Sequence, residues 1–161
     1  MNKRGFTLLE LLIVIVILGV LAALITGNFF TSLKKGRDTK RKADLEQVSR
    51  ALELYYEDKK VYPATLTFGG KLCETASCLV AEKVYMQKVP NDPISEMSYE
   101  YKLTNGSYRL YACLENNLQI LPYDVLTQAP TMSCSSVRCK EKDGTTDTDC
   151  VWAVSSSDVS P

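Results

Sequence analysis

Three places in this 161-residue chain hold side chains whose type and spacing could do chemistry. One is a single carboxylate, Glu10, in the string Phe6-Thr7-Leu8-Leu9-Glu10, followed by fifteen uncharged residues from Leu11 to Ile25. Another is a set of six cysteines, Cys73, Cys78, Cys113, Cys134, Cys139 and Cys150, all beyond that run. The third is an acidic loop, Asp143-Gly144-Thr145-Thr146-Asp147-Thr148-Asp149. The chain has no histidine, so the commonest general base is missing. No P-loop, G-x-S-x-G, H-E-x-x-H or Rossmann fingerprint occurs. The residues therefore point to a chain that is not an enzyme.

The carboxylate is out of place energetically. Phe6 to Ile25 is long enough, as a helix rising about 1.5 Å per residue, to cross a hydrocarbon core. An ionisable group within such a segment is costly unless something pairs with it. A secretory signal peptide would share Lys3-Arg4 and the apolar run, with Leu21-Ala22-Ala23 near a cleavage site, but a charge inside its core does not belong. A plain signal anchor would only tolerate Glu10 near the interface.

An even number of cysteines in a small domain reads as a disulfide framework formed in an oxidising compartment. Each bridge is worth about 2–4 kcal/mol. Six cysteines allow fifteen pairings. Local closure favours Cys73–Cys78 and Cys134–Cys139, leaving Cys113 with Cys150. The two C-x4-C pairs could instead hold zinc, but the spacing is wide and histidine is absent.

The elements that must carry these groups are legible from periodicity. Leu45, Val48, Leu52 and Tyr55 form an apolar stripe at helical spacing, with Asp44, Glu46, Arg50, Glu53 and Glu57 on other faces. No proline precedes Pro63, so one helix is expected from about Phe6 to Asp58, with Gly27-Asn28 the place to bend or unwind. Beyond Pro63 the segments shorten. Tyr99, Tyr101 and Leu103 alternate with polar residues, then Tyr108, Leu110, Ala112 and Leu114 do so after Asn105-Gly106, a hairpin signature. Val151–Val154 offers a third strand, whereas 115–140 shows no period. The reading is an α+β chain: leader 1–5, apolar helix 6–27, amphipathic helix 28–60, and a disulfide-stapled head, 61–161, with a small antiparallel sheet.

Charge is divided unevenly. Residues 1–60 hold 11 Lys and Arg against 7 Asp and Glu, and the remainder holds 8 against 12. Copies of such a chain would attract one another, basic front to acidic back, subject to screening by salt.

The string Lys3-Arg4-Gly5-Phe6-Thr7-Leu8-Leu9-Glu10, with its apolar run and long helix, resembles the type IV pilin and pseudopilin family. The resemblance implies a pilin-like fold and a prepilin peptidase cut between Gly5 and Phe6, with N-methylation of Phe6. It also implies an assembly charge pair between Glu10 of one copy and the freed Phe6 amine of its neighbour. Tyr62-Pro63, Tyr85-Met86-Gln87-Lys88-Val89-Pro90-Asn91-Asp92-Pro93 and Tyr99-Glu100-Tyr101 resemble the G-type major pseudopilin of type II secretion. The six cysteines depart from the common pattern of that group. The function implied is a subunit that polymerises from the inner membrane into a pilus-like or secretion filament. Its partners would be further copies, the membrane, the peptidase, an assembly platform and an assembly ATPase. A competence-type DNA-uptake pilin and an anchored binding head that does not polymerise are the alternatives.

Two features stay open at this stage. Lys34, Lys35, Arg37, Lys40, Arg41 and Lys42 flank the apolar run, and counting positive charges would leave that side in the cytoplasm. The cysteines and the resemblance place the head outside. The same run could touch phosphate groups of lipid or nucleic acid. Asp143, Asp147 and Asp149 could ligate calcium, as the resemblance to G-type pseudopilins suggests, although their spacing is not that of an EF-hand.

Overall fold

The computed structural model describes residues 5–75, 77–79, 81–123, 126, 128, 130–134, 137–145 and 147–156, without the side chains of 24–28 and 147. Lys3 and Arg4 of the expected leader lie outside the described residues. One helix, α1 (Leu8–Lys59), is followed by seven strands: β1 (Leu72–Cys73), β2 (Val84–Met86), β3 (Glu100–Thr104), β4 (Ser107–Cys113), β5 (Arg138–Lys140), β6 (Asp147–Asp149) and β7 (Val151–Ser155). The chain divides into two compact units, Met1–Lys34 and Lys35–Pro161. Helical structure continues through Gly27 and Asn28, so the unwinding expected there is absent.

In the first unit the large apolar side chains of α1 have no cover, from Leu8, 89% exposed, to Leu21, 51% exposed. A helix that is apolar all round needs lipid or other protein around it. Among the described residues no helix is long and apolar enough to cross a membrane. In sequence the run continues through Leu24 and Ile25, whose side chains are outside the description.

In the second unit the helical stripe behaves as its spacing dictates. Leu45, Val48 and Leu52 are fully buried, with Ala51 beside them and Tyr55 half-buried. They meet Tyr99, Tyr108, Leu110 and Ala112 in one apolar cluster. The central sheet has the order β3-β4-β7, all antiparallel, with Thr104 opposite Ser107 and Cys113 opposite Val151. Asn105 and Gly106 join β3 to β4 with φ of 53° and 82°, the doubly left-handed geometry of a two-residue type I′ turn.

Strand β4 departs from the alternation read in sequence. Tyr108, Leu110, Ala112 and Leu114 are buried as expected, but so are Tyr111 and Cys113 on the other face. That face is covered by Met97, Tyr123, Leu126, Met132 and Cys134, which pack on Tyr111, Cys113, Val151 and Ala153. The aperiodic stretch after residue 115 is thus a cover for the back of the sheet. Its path could not be read because a cover made of loops has no period.

All three bridges of the framework form, and one follows the expected local closure, Cys73–Cys78. The other two differ: the pairs are Cys113–Cys134 and Cys139–Cys150, in place of Cys134–Cys139 and Cys113–Cys150. Strand pairing decides this. The β5–β6 hairpin sets Cys139 opposite Thr148, and the Cys150 N–H donates to the Val137 carbonyl, so Cys150 returns beside Cys139. Cys134 lies instead under β4, in the cluster that holds Cys113.

Candidate functional site

Gly5, Phe6 and Thr7 precede α1 and are not helical, and Phe6 is 83% exposed. The expected Gly5–Phe6 cut therefore falls in accessible, non-helical backbone at the entrance of the helix. Thr7 occupies the N-cap position and Glu10 the third helical position. The Glu10 carboxylate accepts from the Thr7 N–H and the Thr7 hydroxyl, both at 2.8 Å, while the Glu10 N–H donates to Thr7 Oγ1 at 3.3 Å. This is a capping box: it satisfies helix-end donors that have no partner within the helix.

The anomaly that sequence reading left to a second copy thus has a partner within the chain. The signal was present, since Thr7-x-x-Glu10 ahead of an apolar run is the capping-box pattern. A positive helix N-terminus also favours a carboxylate in its first turn. The structure brings Gly5, Phe6 and Glu10 to one helix end, where the hydrogen bonds of Glu10 go to Thr7.

The basic run has a different fate from the one its composition suggests. Arg41 is completely buried. Its guanidinium holds Asp92 with two bonds, Nε to Oδ2 at 2.7 Å and Nη2 to Oδ1 at 3.0 Å. Its Nη1 donates to Asp38 at 2.9 Å and to Glu115 at 2.7 Å. Arg37 adds a second fork onto Glu115, at 2.8 and 2.5 Å. Asp38 accepts in turn from the N–H groups of Glu115 and Asn116 and from the Gln119 amide.

Burial pulls the Arg41 guanidinium down, but its bonds to Asp92 and Glu115 outweigh this and raise it overall. The Arg37 fork, with Arg41 helping against burial, lowers Glu115 to about 2. Nearby, burial and a bond to Asp44 raise the Tyr99 hydroxyl. Lys42 turns inward as well, bonding Gln119 and lying 4.2 Å from the centre of the Trp152 ring. Of the six cations, Arg37, Arg41 and Lys42 thus tie α1 to the segment 115–119 and to Asp92. Lys34, Lys35 and Lys40 are exposed. Half the basic run is thus engaged within the head.

The described carboxylates of the acidic loop are engaged within the chain. Asp143 spends its carboxylate on the N–H and hydroxyl of Thr145, and Asp149 pairs with Arg138 at 2.9 Å. The side chain of Asp147 lies outside the described residues. Among the described residues no group of three metal-binding side chains converges. A groove of about 470 Å³ lined by Phe68, Asn91, Asp92 and Tyr99 is no better as a reactive site, since Arg41 and Asp44 already engage its Asp92 and Tyr99.

Comparison with known proteins bears on both ends of this picture. Residues 1–26 match the prokaryotic N-terminal methylation motif, and residues 28–117 match the family described as type II secretion system (T2SS), protein G. The type II secretion system core protein G of Escherichia coli (strain K12) is 36% identical over 118 residues, covering 68% of this chain and 79% of that one. The protein of the same name from Pectobacterium carotovorum subsp. carotovorum is 36% identical over 110 residues, covering 65% and 68%. That from Aeromonas hydrophila is 43% identical over 101 residues, covering 58% and 71%. No solved structure matches. The match ends at residue 117, just before the segment that supplies three of the six cysteines.

Proposed function

Since this chain belongs to the type II secretion system protein G family, we propose that it is made as a membrane-anchored precursor, cut between Gly5 and Phe6 and N-methylated on Phe6. It is a structural subunit of the pseudopilus type and not an enzyme. Self-assembly and work alongside secretion machinery follow from that membership, and a membrane-anchored periplasmic placement fits it. The finer reading has four parts: a single pass, the head outside, prepilin peptidase as the processing enzyme, and an assembly platform with its ATPase as the driving partners.

The observation that carries the filament reading is the contrast between the two units. The head buries its own core, whereas the apolar helix from Leu8 to Leu21 buries none of its large side chains within the chain. Lipid can cover that surface before assembly and neighbouring helices can cover it afterwards, so the helix leaves the bilayer without exposing leucines to water.

Within that scheme Glu10 acts twice. Before assembly its carboxylate is held by Thr7, which makes the single charge tolerable at the helix entrance. After the cut the new amine lies one residue before Thr7, and a neighbour's Glu10 can pair with it as helices stack along the fibre. Pairing two desolvated charges removes a penalty, and it sets axial register as buried polar groups do in coiled coils. The test is Glu10→Ala in a cell that makes the whole system. Mass spectrometry should find the mature chain beginning at methylated Phe6, with filaments lost. Normal processing together with parent levels of filament would refute the charge pair.

A further inference from the structure

The segment just past the family match presents an apolar pair that faces the wrong way. Residues 118–121 alternate in and out: Leu118 is 74% exposed, Gln119 turns inward, Ile120 is 63% exposed and Leu121 is buried. In such an alternation the outward positions are expected to be polar. Here they are leucine and isoleucine.

The pair is held in place rather than left on a slack loop. Between its two members the Gln119 side chain donates to Asp38 at 2.8 Å and accepts from Lys42. The backbone is pinned to β5, with Leu121 N–H donating to the Lys140 carbonyl at 2.9 Å and Ile120 in a parallel bridge with Lys140. Disulfide Cys139–Cys150 closes the hairpin to which it is pinned. A fixed apolar knob has already lost the entropy that binding would otherwise cost.

We propose that Leu118 and Ile120 form a contact between copies of this chain, seated on Phe29, Phe30 and Leu33 of a second copy. The occupant is argued from three facts. Phe29, Phe30 and Leu33 share one helix face at spacings of four and three, and all are exposed in the single chain, at 54%, 68% and 42%. That face continues the apolar helix surface that self-assembly must bury. Lys34 and Lys35, exposed, border it, and the sequence from residue 61 onward, with 8 Lys and Arg against 12 Asp and Glu, carries the opposite net charge to residues 1–60, with 11 against 7.

The inference rests on the filament reading and adds a specific lateral contact that residues beyond the family match supply. The contact is tested in cells assembling the full chain. Leu118→Asp with Ile120→Asp should lower filament yield by about tenfold or more, since two apolar anchors are lost at every contact. The subunit itself should keep its three disulfides, because both positions are exposed. As a second measurement, Leu118→Cys combined with Phe30→Cys should give a ladder of disulfide-linked subunits from assembled fibres, and neither single variant should.

Parent-level filaments from the double aspartate variant with no ladder from the paired cysteines would overturn the contact and leave the filament reading standing. A parent chain that forms no filament at all would overturn both. Head binding to anionic vesicles that depends on Leu118, with assembly unchanged, would reassign the knob to lipid and also overturn the proposal.

Discussion

Removing the guanidinium of Arg41 is the sharpest probe of how the head is held together. The side chain is fully buried and makes five polar contacts, four to carboxylates of Asp38, Asp92 and Glu115 and one to the Met97 sulfur. Arg41→Met keeps the apolar stem and deletes the charge, so three carboxylates lose a shared counter-ion within the protein. Glu115 retains Arg37, and Asp38 retains two backbone N–H donors, but Asp92 keeps only the N–H of Ile94 among the contacts described. Breaking a buried ion pair from one side costs about 3–5 kcal/mol. At about 3–5 °C per kcal/mol for a domain of this size, the melting temperature should fall by about 10–25 °C. The chain's one tryptophan, Trp152, reports on this, because it sits beneath Lys42 on β7. Its fluorescence, followed on heating under oxidising conditions, reads the head without the apolar helix. Arg41→Lys should recover less than half of the loss, since an ammonium cannot fork onto Asp92. A melt for Arg41→Met within about 2 °C of the parent would show that the cluster is decorative and refute the reasoning.

Three further outcomes follow from the geometry. Glu115 has a folded pKa lowered from 4.5 to about 2, so its contribution is complete above about pH 4.5 and is lost as pH falls through about 2. Discounted for partial exposure, that is about 1–3 kcal/mol, and urea midpoints at about pH 5 and 2.5 should fall further for the parent than for Glu115→Gln. Peptide mapping without reduction should recover Cys113 linked to Cys134 and Cys139 linked to Cys150, and replacing the latter pair by serine should cost about 2–4 kcal/mol in denaturant titration. Thr7→Val removes the cap of α1, so hydrogen exchange at the Glu10 amide should speed up several-fold in detergent-solubilised chain, with the amides of Leu45 to Leu52 unchanged.

The parts of the fold that obey a period were legible. The stripe Leu45, Val48 and Leu52 and the hairpin around Asn105-Gly106 are written at spacings of 3.6 and 2, and the structure follows them. What escaped was chosen by three-dimensional neighbours. Arg41 looks like its exposed neighbour Lys40 in a basic run, and only the approach of Asp92, fifty-one residues away, makes it a core residue. Cys134 stands five residues from Cys139 but is drawn under β4, so proximity in sequence gave the wrong partner. The capping box at Thr7 and Glu10 was readable, and its signal was masked by the more conspicuous question of a charge among leucines.

The same long-range neighbours also limit how copies of this chain can join. A sheet of three strands leaves two edges, β3 and β7, each a template for strand addition by another copy. On β7 the Tyr123 hydroxyl accepts from the Ala153 N–H and donates to the Val151 carbonyl, taking the place a further strand would occupy. At β3 the Glu100 carboxylate gathers the N–H groups of Thr131 and Met132, while Gln128 bonds Thr104 at the other end. The residues that make these contacts all come from the stretch beyond residue 117, past the matched family region. With its β7 edge occupied, the head resists strand addition there by another copy. On the filament reading proposed above, polymerisation rests on the surface that one chain leaves exposed, the apolar side chains of α1 from Leu8 to Leu21, and its register on Glu10.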